Sequence, residues 1–190
     1  ALLGGYSTSD TAAIRNFRTN KTILSGQFTT NGKVLHVVTA LSCDGLTVLD
    51  GFIIQDGFAY GDGVTPETNM GGGILLSEAS ALQIRNCVLR NNSGDKGSAV
   101  AIEQNSNPYF LNCYFLNNYA FGSGTVSIED ATASRFINCV FANNFAGLTG
   151  AIIFSSHSGV SLINCTAFRN RVVQSADLPP GCVSAQNGSS

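Results

Sequence analysis

The chain has 190 residues, of which 44% are apolar and 12% charged, and its formal net charge is −2. That length allows one domain with a continuous core, and so sparse and near-neutral a charge excludes the basic footprint that nucleic-acid binding needs. No stretch reads as a membrane span or a signal peptide, so an exported form would have lost its signal already.

Residues 1–70 predict irregular N-terminal coils. The chain opens directly in a strand, ALLGGY, makes a polar excursion from Ser7 to Asn20, and returns to a strand at Thr22-Ile23-Leu24-Ser25. This abrupt start reads as a piece excised from a longer chain. Aligning Leu46–Asp50 with Leu82–Asn86 places Asp50, and then Asp56, in the two Asn positions of the regular repeat that follows. The Gly-rich run Gly57–Met70, which contains Pro66, is expected to leave the body as a surface loop.

Residues 71–174 hold a 26-residue unit written four times without a gap, each with two short apolar runs of period 2 and no helical stripe. A strict period means that each unit stacks on the next and each residue on its own equivalent. In the first run Ile74, Val100, Val126 and Ile152 form one column, and Leu76, Ile102, Ile128 and Phe154 form the next; both point inward. In the second run Ile84, Phe110, Phe136 and Leu162 precede an Asn-Cys pair, and Leu89, Phe115, Phe141 and Phe168 follow it. The apolar register jumps across that pair, so Asn86, Asn112, Asn138 and Asn164 sit at a bend, where Asn tolerates left-handed backbone. Stacked at about 4.8 Å, their amides and those of Asn92, Asn118, Asn144 and Asn170 predict structural ladders in the body of the solenoid. Cys87, Cys113, Cys139 and Cys165 are small fillers of the core, and parallel stacking suits a disulfide torsion badly, which predicts free thiols. Residues 175–190 read as a partial last coil and tail, interrupted by Pro179-Pro180-Gly181.

The result is an all-β parallel solenoid of one domain. Its GG-x-I runs, its I-x-N-C-x-F-x-x-N units and its opening TILSG…VLHVV…LDGFIIQDG resemble bacterial secreted right-handed parallel β-helix proteins. The similarity is greatest to polymorphic outer-membrane-protein passengers with GG-A-I and F-x-x-N motifs. The resemblance implies an extracellular or cell-surface location and the fold, but no single activity, because β-helices host adhesins, lyases, hydrolases and scaffolds.

Candidate sites are few. Glu103 and Glu129 are equivalent in adjacent coils, about 5 Å apart, which is the spacing of a retaining glycosidase pair; no His or Lys is expected in register to tune them, and there is no Trp for a sugar platform. Asp50, Asp56 and Asp62 are a calcium candidate by composition alone, while His36 and His157 lie coils apart, so neither a metal nor an organic cofactor is called for. Leu111, Ile137 and Ile163, with Tyr114 and Val140, make an outward apolar stripe, which marks an association surface unless another segment such as Ser7–Asn20 covers it.

The leading reading is a non-catalytic structural or adhesive module that self-associates or meets other surface proteins. Head-to-tail stacking into a filament, with a bond between Cys182 of one subunit and Cys43 of the next, is part of that expectation. The alternatives are a carbohydrate-active enzyme using Glu103 and Glu129, or a glycan-binding module using tyrosines such as Tyr109 and Tyr114.

Overall fold

A computed structural model describes residues 1–7, 14–29, 32–61, 66–131, 133–173 and 182–186. Four parallel sheets run along one axis, and every coil visits them in the same order. Sheet I carries Ile74–Ser77, Val100–Ile102, Val126–Glu129 and Ile153–Ser156; sheet II carries Gln83–Arg85, Tyr109–Leu111, Ala133–Ile137 and Gly159–Ile163. Sheet III carries Val88–Arg90, Tyr114–Leu116, Val140–Ala142 and Thr166–Phe168, and sheet IV carries Ser93–Lys96, Tyr119–Ser123, Phe145–Ala146 and Arg171–Val172. Earlier strands extend sheets II and III to six rungs and sheet IV to five, and sheet I reaches six with Val38–Leu41 before its regular strands and Val183–Gln186 after them. Apart from a short 3-10 helix at Pro66–Asn69 the elements are strands, and no helix among the described residues is long and apolar enough to cross a membrane.

Each of the four corners is turned by backbone in the left-handed region. Glu78, Gln104, Asp130 and His157 turn sheet I into sheet II; Asn86, Asn112, Asn138 and Asn164 turn II into III; Asn91, Asn117, Asn143 and Arg169 turn III into IV. At the fourth corner stand Gly71, Gly97, Gly124 and Gly150, also at positive φ. A Cβ there would strike the carbonyl of Ile74, Val100, Val126 or Ile153, so this corner accepts only glycine. Left-handed backbone costs other residues roughly 1–2 kcal/mol, and Asn offsets part of that by local hydrogen bonding, which is why it recurs at two corners.

Inside, Phe110 stacks on Phe136 at 4.6 Å and Phe115 on Phe141 at 4.5 Å, nearly parallel. Cys87 and Cys113 are fully buried with these rings and Cys139 nearly so, as free thiols, while Cys165 is half-buried. Burial pushes the Cys87 thiol up to about 11 and holds Cys113 well above the ordinary thiol value. Cys43 follows the first rung of sheet I and Cys182 precedes its last, Val183–Gln186. Five rung spacings separate them, roughly 24 Å, which excludes a bond within one chain.

The structure corrects five register assignments. In the fourth coil one extra residue before Ile153 brings Ile153, not Ile152, under Val126 and Ser155, not Phe154, under Ile128; a corner one residue shorter after Ser156 restores the period. Ala167, not Phe168, continues the Phe141 column, and Phe168 faces out. Gly51, not Asp50, takes the corner equivalent to Asn86, because Asp50 pairs with Arg85. By the same one-residue offset Gly57, not Asp56, meets the second Asn ladder, donating its N–H to Asn92 at 3.1 Å.

The two Asn columns also differ in a way the repeat does not show. Asn92, Asn118 and Asn144 are buried, and each donates to the next amide along the column and to a backbone carbonyl of the preceding coil, as Asn118 does to Asn144 Oδ1 and Leu89 O at 3.0 Å. Asn112, Asn138 and Asn164 are exposed and Asn86 is half-buried; this ladder runs the opposite way, each amide donating to the one before it. The expectation that Asn138 lies buried in the body is therefore overturned: its corner turns outward. Replacing Asn118 with Leu orphans the buried N–H of Asn92 and should cost about 1–3 kcal/mol per lost partner. Asn138→Gly, which keeps the backbone and gives up only two exposed bonds, to Asn112 and from Asn164, should cost less than Asn118→Leu; urea melts of the two variants make the comparison.

Thiol chemistry gives a second check. At neutral pH a disulfide reagent should modify Cys182 fastest and reach Cys87, Cys113 and Cys139 only on unfolding, because reaction needs an accessible thiolate. With the folded Cys87 pKa raised, its contribution to stability is intact below the unfolded value and is lost as pH rises toward about 11. The melting temperature should therefore fall on the alkaline side.

Candidate functional site

The carboxylate pair is the first place to look for chemistry. Glu103 directly follows Ile102, which is in register with Ile128, so it stacks beside Glu129 as the repeat predicts. Glu129, however, has both oxygens occupied: Lys96 Nζ reaches them at 2.9 and 3.1 Å, and the Ser127 hydroxyl donates to Oε1 at 3.0 Å. The expectation of no lysine in register fails because Lys96 stands on sheet IV and reaches across the glycine corner, past the strand Val100–Ile102, to the following strand of sheet I. An ion-paired carboxylate accepts hydrogen bonds and carries no proton to give, which suits a strut better than a general acid.

The remaining polar candidates are tied into corners. Glu78 accepts from Ser42, His36 meets the carbonyl of Gly71, and His157 lies 3.7 Å from Asp130 on an exposed turn. Asp50 and Asp56 flank the strand Phe52–Gln55 at opposite ends: the first is held by Arg15 at 2.7 Å and by Asn86, the second by Ser25 and Gln55. Asp62 lies outside the described residues. No group of three metal-ligating side chains forms among the described residues.

What the fold does bring together is the outward Asn corner and the N-terminal excursion. Leu2–Leu3 belongs to sheet II and Thr22–Ser25 to sheet III, so the whole excursion is inserted at the corner where later coils place one Asn. Arg15 donates to Gly4 O and to Asp50, and Asn16 N–H donates to Gly5 O, which folds the excursion back onto the next coil. Gly51 permits this: at φ 81° and with no Cβ, it leaves room for Arg15 and Phe17, whose Cβ would lie 2.9 Å from an added one. Phe17, Arg18 and Lys21 then form one wall of a groove of about 590 Å³, whose floor is Asn86, Asn112 and Asn138 and whose other wall is Val88 and Tyr114. Arg18 and Lys21 give that wall two cations. Of the stripe residues, Ile163 and Tyr114 are exposed while Leu111, Ile137 and Val140 are half-buried, so Phe17 and its neighbours border the stripe without covering it.

Residues 44–190 match the family described as the right handed beta helix region. The chain belongs to this family. Neither the comparison with curated proteins nor that with solved structures returned a match. Members of the family share a coil of parallel sheets, which is the architecture seen here.

A second surface feature escaped the sequence reading. Phe58, Tyr60, Tyr119, Phe121 and Phe145 cluster on the outside of sheet IV, Tyr119 stacked on Phe145 at 4.5 Å and Phe121 against Tyr60 at 4.9 Å. The 26-residue spacing of Tyr119 and Phe145 was a legible signal. Tyr60, by contrast, comes from the loop, and Phe121 sits beside the register shift at Gly94–Lys96, which no repeat alignment would show.

Proposed function

We propose that this β-helix is a non-catalytic adhesive module of an extracellular bacterial surface protein, meeting its partners on the flank where sheets II and III join. The observation that carries this reading is the flank itself, where apolar columns and a row of exposed amides repeat in register over successive coils. The conspicuous carboxylate of sheet I is meanwhile neutralised by Lys96. The likeness to polymorphic outer-membrane-protein passengers supports the location, and the exposed columns, of which Ile163 is half open to solvent, support self-association.

Replacing Leu111, Ile137 and Ile163 with Thr keeps a strand-forming shape while removing outward apolar area, so the melting temperature should change little. Sedimentation at rising concentration should show larger species for the wild type and monomer for the variant. A wild type that stays monomeric overturns the self-association.

The enzymatic alternative is tested by incubating the protein with a polysaccharide panel. The module should release no product. Product formation that disappears in Glu129→Gln would overturn the non-catalytic reading.

A further inference from the structure

Resting on the adhesive-module reading, we infer that the groove between the N-terminal excursion and the outer Asn ladder is a site for an anionic glycan, held along the solenoid axis. Three features of the groove specify that chemistry.

The first is the floor. Each Asn side chain has two N–H donors and two acceptor lone pairs. In the outer ladder Asn112 gives one N–H to Asn86 Oδ1 at 3.2 Å and accepts one from Asn138 at 3.3 Å. One donor and one acceptor remain at that rung, turned to solvent, and the arrangement recurs at the rung spacing of about 4.8 Å. A hydroxyl also donates and accepts at once, and a sugar ring in an extended glycan advances by a length comparable with one rung. Hydroxyls of successive sugars can therefore meet successive amides.

The second feature is the charge. Arg18 and Lys21 line the groove, and no lining residue is acidic. The neighbouring carboxylate, Asp50, is already paired with Arg15 and bonded to Asn86. The Arg18 guanidinium is exposed and makes no hydrogen bond or ion pair among the described residues, so a carboxylate or sulfate on the ligand would be its partner. The third feature is Tyr114, 47% exposed on the opposite wall, which offers an apolar ring face together with a hydroxyl.

An acidic peptide fits less well. An extended peptide binds a β-surface chiefly by pairing with free backbone groups. Along this corner those groups are spent between rungs, as in Asn112 N–H to Ile137 O at 3.0 Å and Tyr114 N–H to Cys87 O at 2.9 Å. A peptide's residues also advance about 3.3 Å each, out of step with the amide row.

Isothermal titration of the whole chain decides the matter, with four probes of similar length: an oligogalacturonate, a heparin-derived oligosaccharide, a neutral cello-oligosaccharide and poly-L-glutamate. Saturable binding of either anionic sugar, weakening as salt is raised and at least about tenfold tighter than the neutral sugar and the peptide, is the expected result; binding of the oligogalacturonate shows that a carboxylate suffices, and binding of the heparin fragment alone shows that carboxylates by themselves do not. Arg18→Gln with Lys21→Gln should weaken it about tenfold or more, and Asn112→Gly should weaken it by severalfold. Lys33→Ala, which removes a cation beside Phe58 on sheet IV, should leave it unchanged. Absence of binding, equal binding of poly-L-glutamate or of the neutral sugar, or full affinity in the double variant would overturn the inference. Cleavage of a bound oligosaccharide would instead overturn the non-catalytic reading while leaving the site in place.

Discussion

The buried amides of Asn92, Asn118 and Asn144 bind the coil before them and the coil after them at the same time, and the rest of the structure depends on that coupling. A parallel stack supplies backbone hydrogen bonds between rungs, but a corner interrupts each sheet and leaves donors and acceptors facing the core. One amide per coil satisfies them: it accepts from the amide and the backbone N–H of the preceding coil and donates to a carbonyl of that coil and to the next amide. Because an unpaired buried polar group costs about 1–3 kcal/mol, the ladder holds the coils in one register and makes equivalent residues stack on themselves. The Phe columns, the Cys column and both outer stripes follow from that constraint.

The same register has opposite consequences on the two sides of the wall. Inside, like stacks on like without penalty because the residues are apolar or are amides that bond to themselves. Outside, like charges in a column would repel, and the chain avoids long columns of them: on sheets II and III the arginines Arg85, Arg90 and Arg135 each pair with an uncharged residue on the neighbouring regular rung, and Glu129 is met by a lysine from a neighbouring sheet. An outer surface built of amides at constant spacing is a consequence of stability at the corners, and it is also a regular array of donors and acceptors available to a ligand.

The first coil shows how such a fold acquires a site. A corner points outward and is closed by a single left-handed residue, so it can be replaced by a loop without disturbing the strands on either side. Here the loop folds back on the following coil because Gly51 leaves that coil's corner bare and Asp50 offers Arg15 a partner. Asp50 thus joins two structures, capping the outer amide ladder through Asn86 while anchoring the excursion that walls the groove.

The sequence by itself determined the solenoid, its 26-residue period, the inward columns of the first three regular units and the free thiols, because all of these follow from local alternation repeated at a constant interval; in the fourth unit an extra residue before Ile153 moved the first-run column out of the place that the period gave it. It also placed Glu103 beside Glu129 and the apolar columns on the outside. What it did not contain was the direction of each corner. Asn86 and Asn92 look alike in the repeat, yet one ladder turns outward and the other inward, since that choice depends on how four sheets close around the core. Nor could the period show Lys96 reaching Glu129, Arg15 reaching Asp50, or Phe17 lying over Gly51. These contacts join different sheets or an irregular loop to a regular coil, and only the closed tertiary structure brings them within bonding distance.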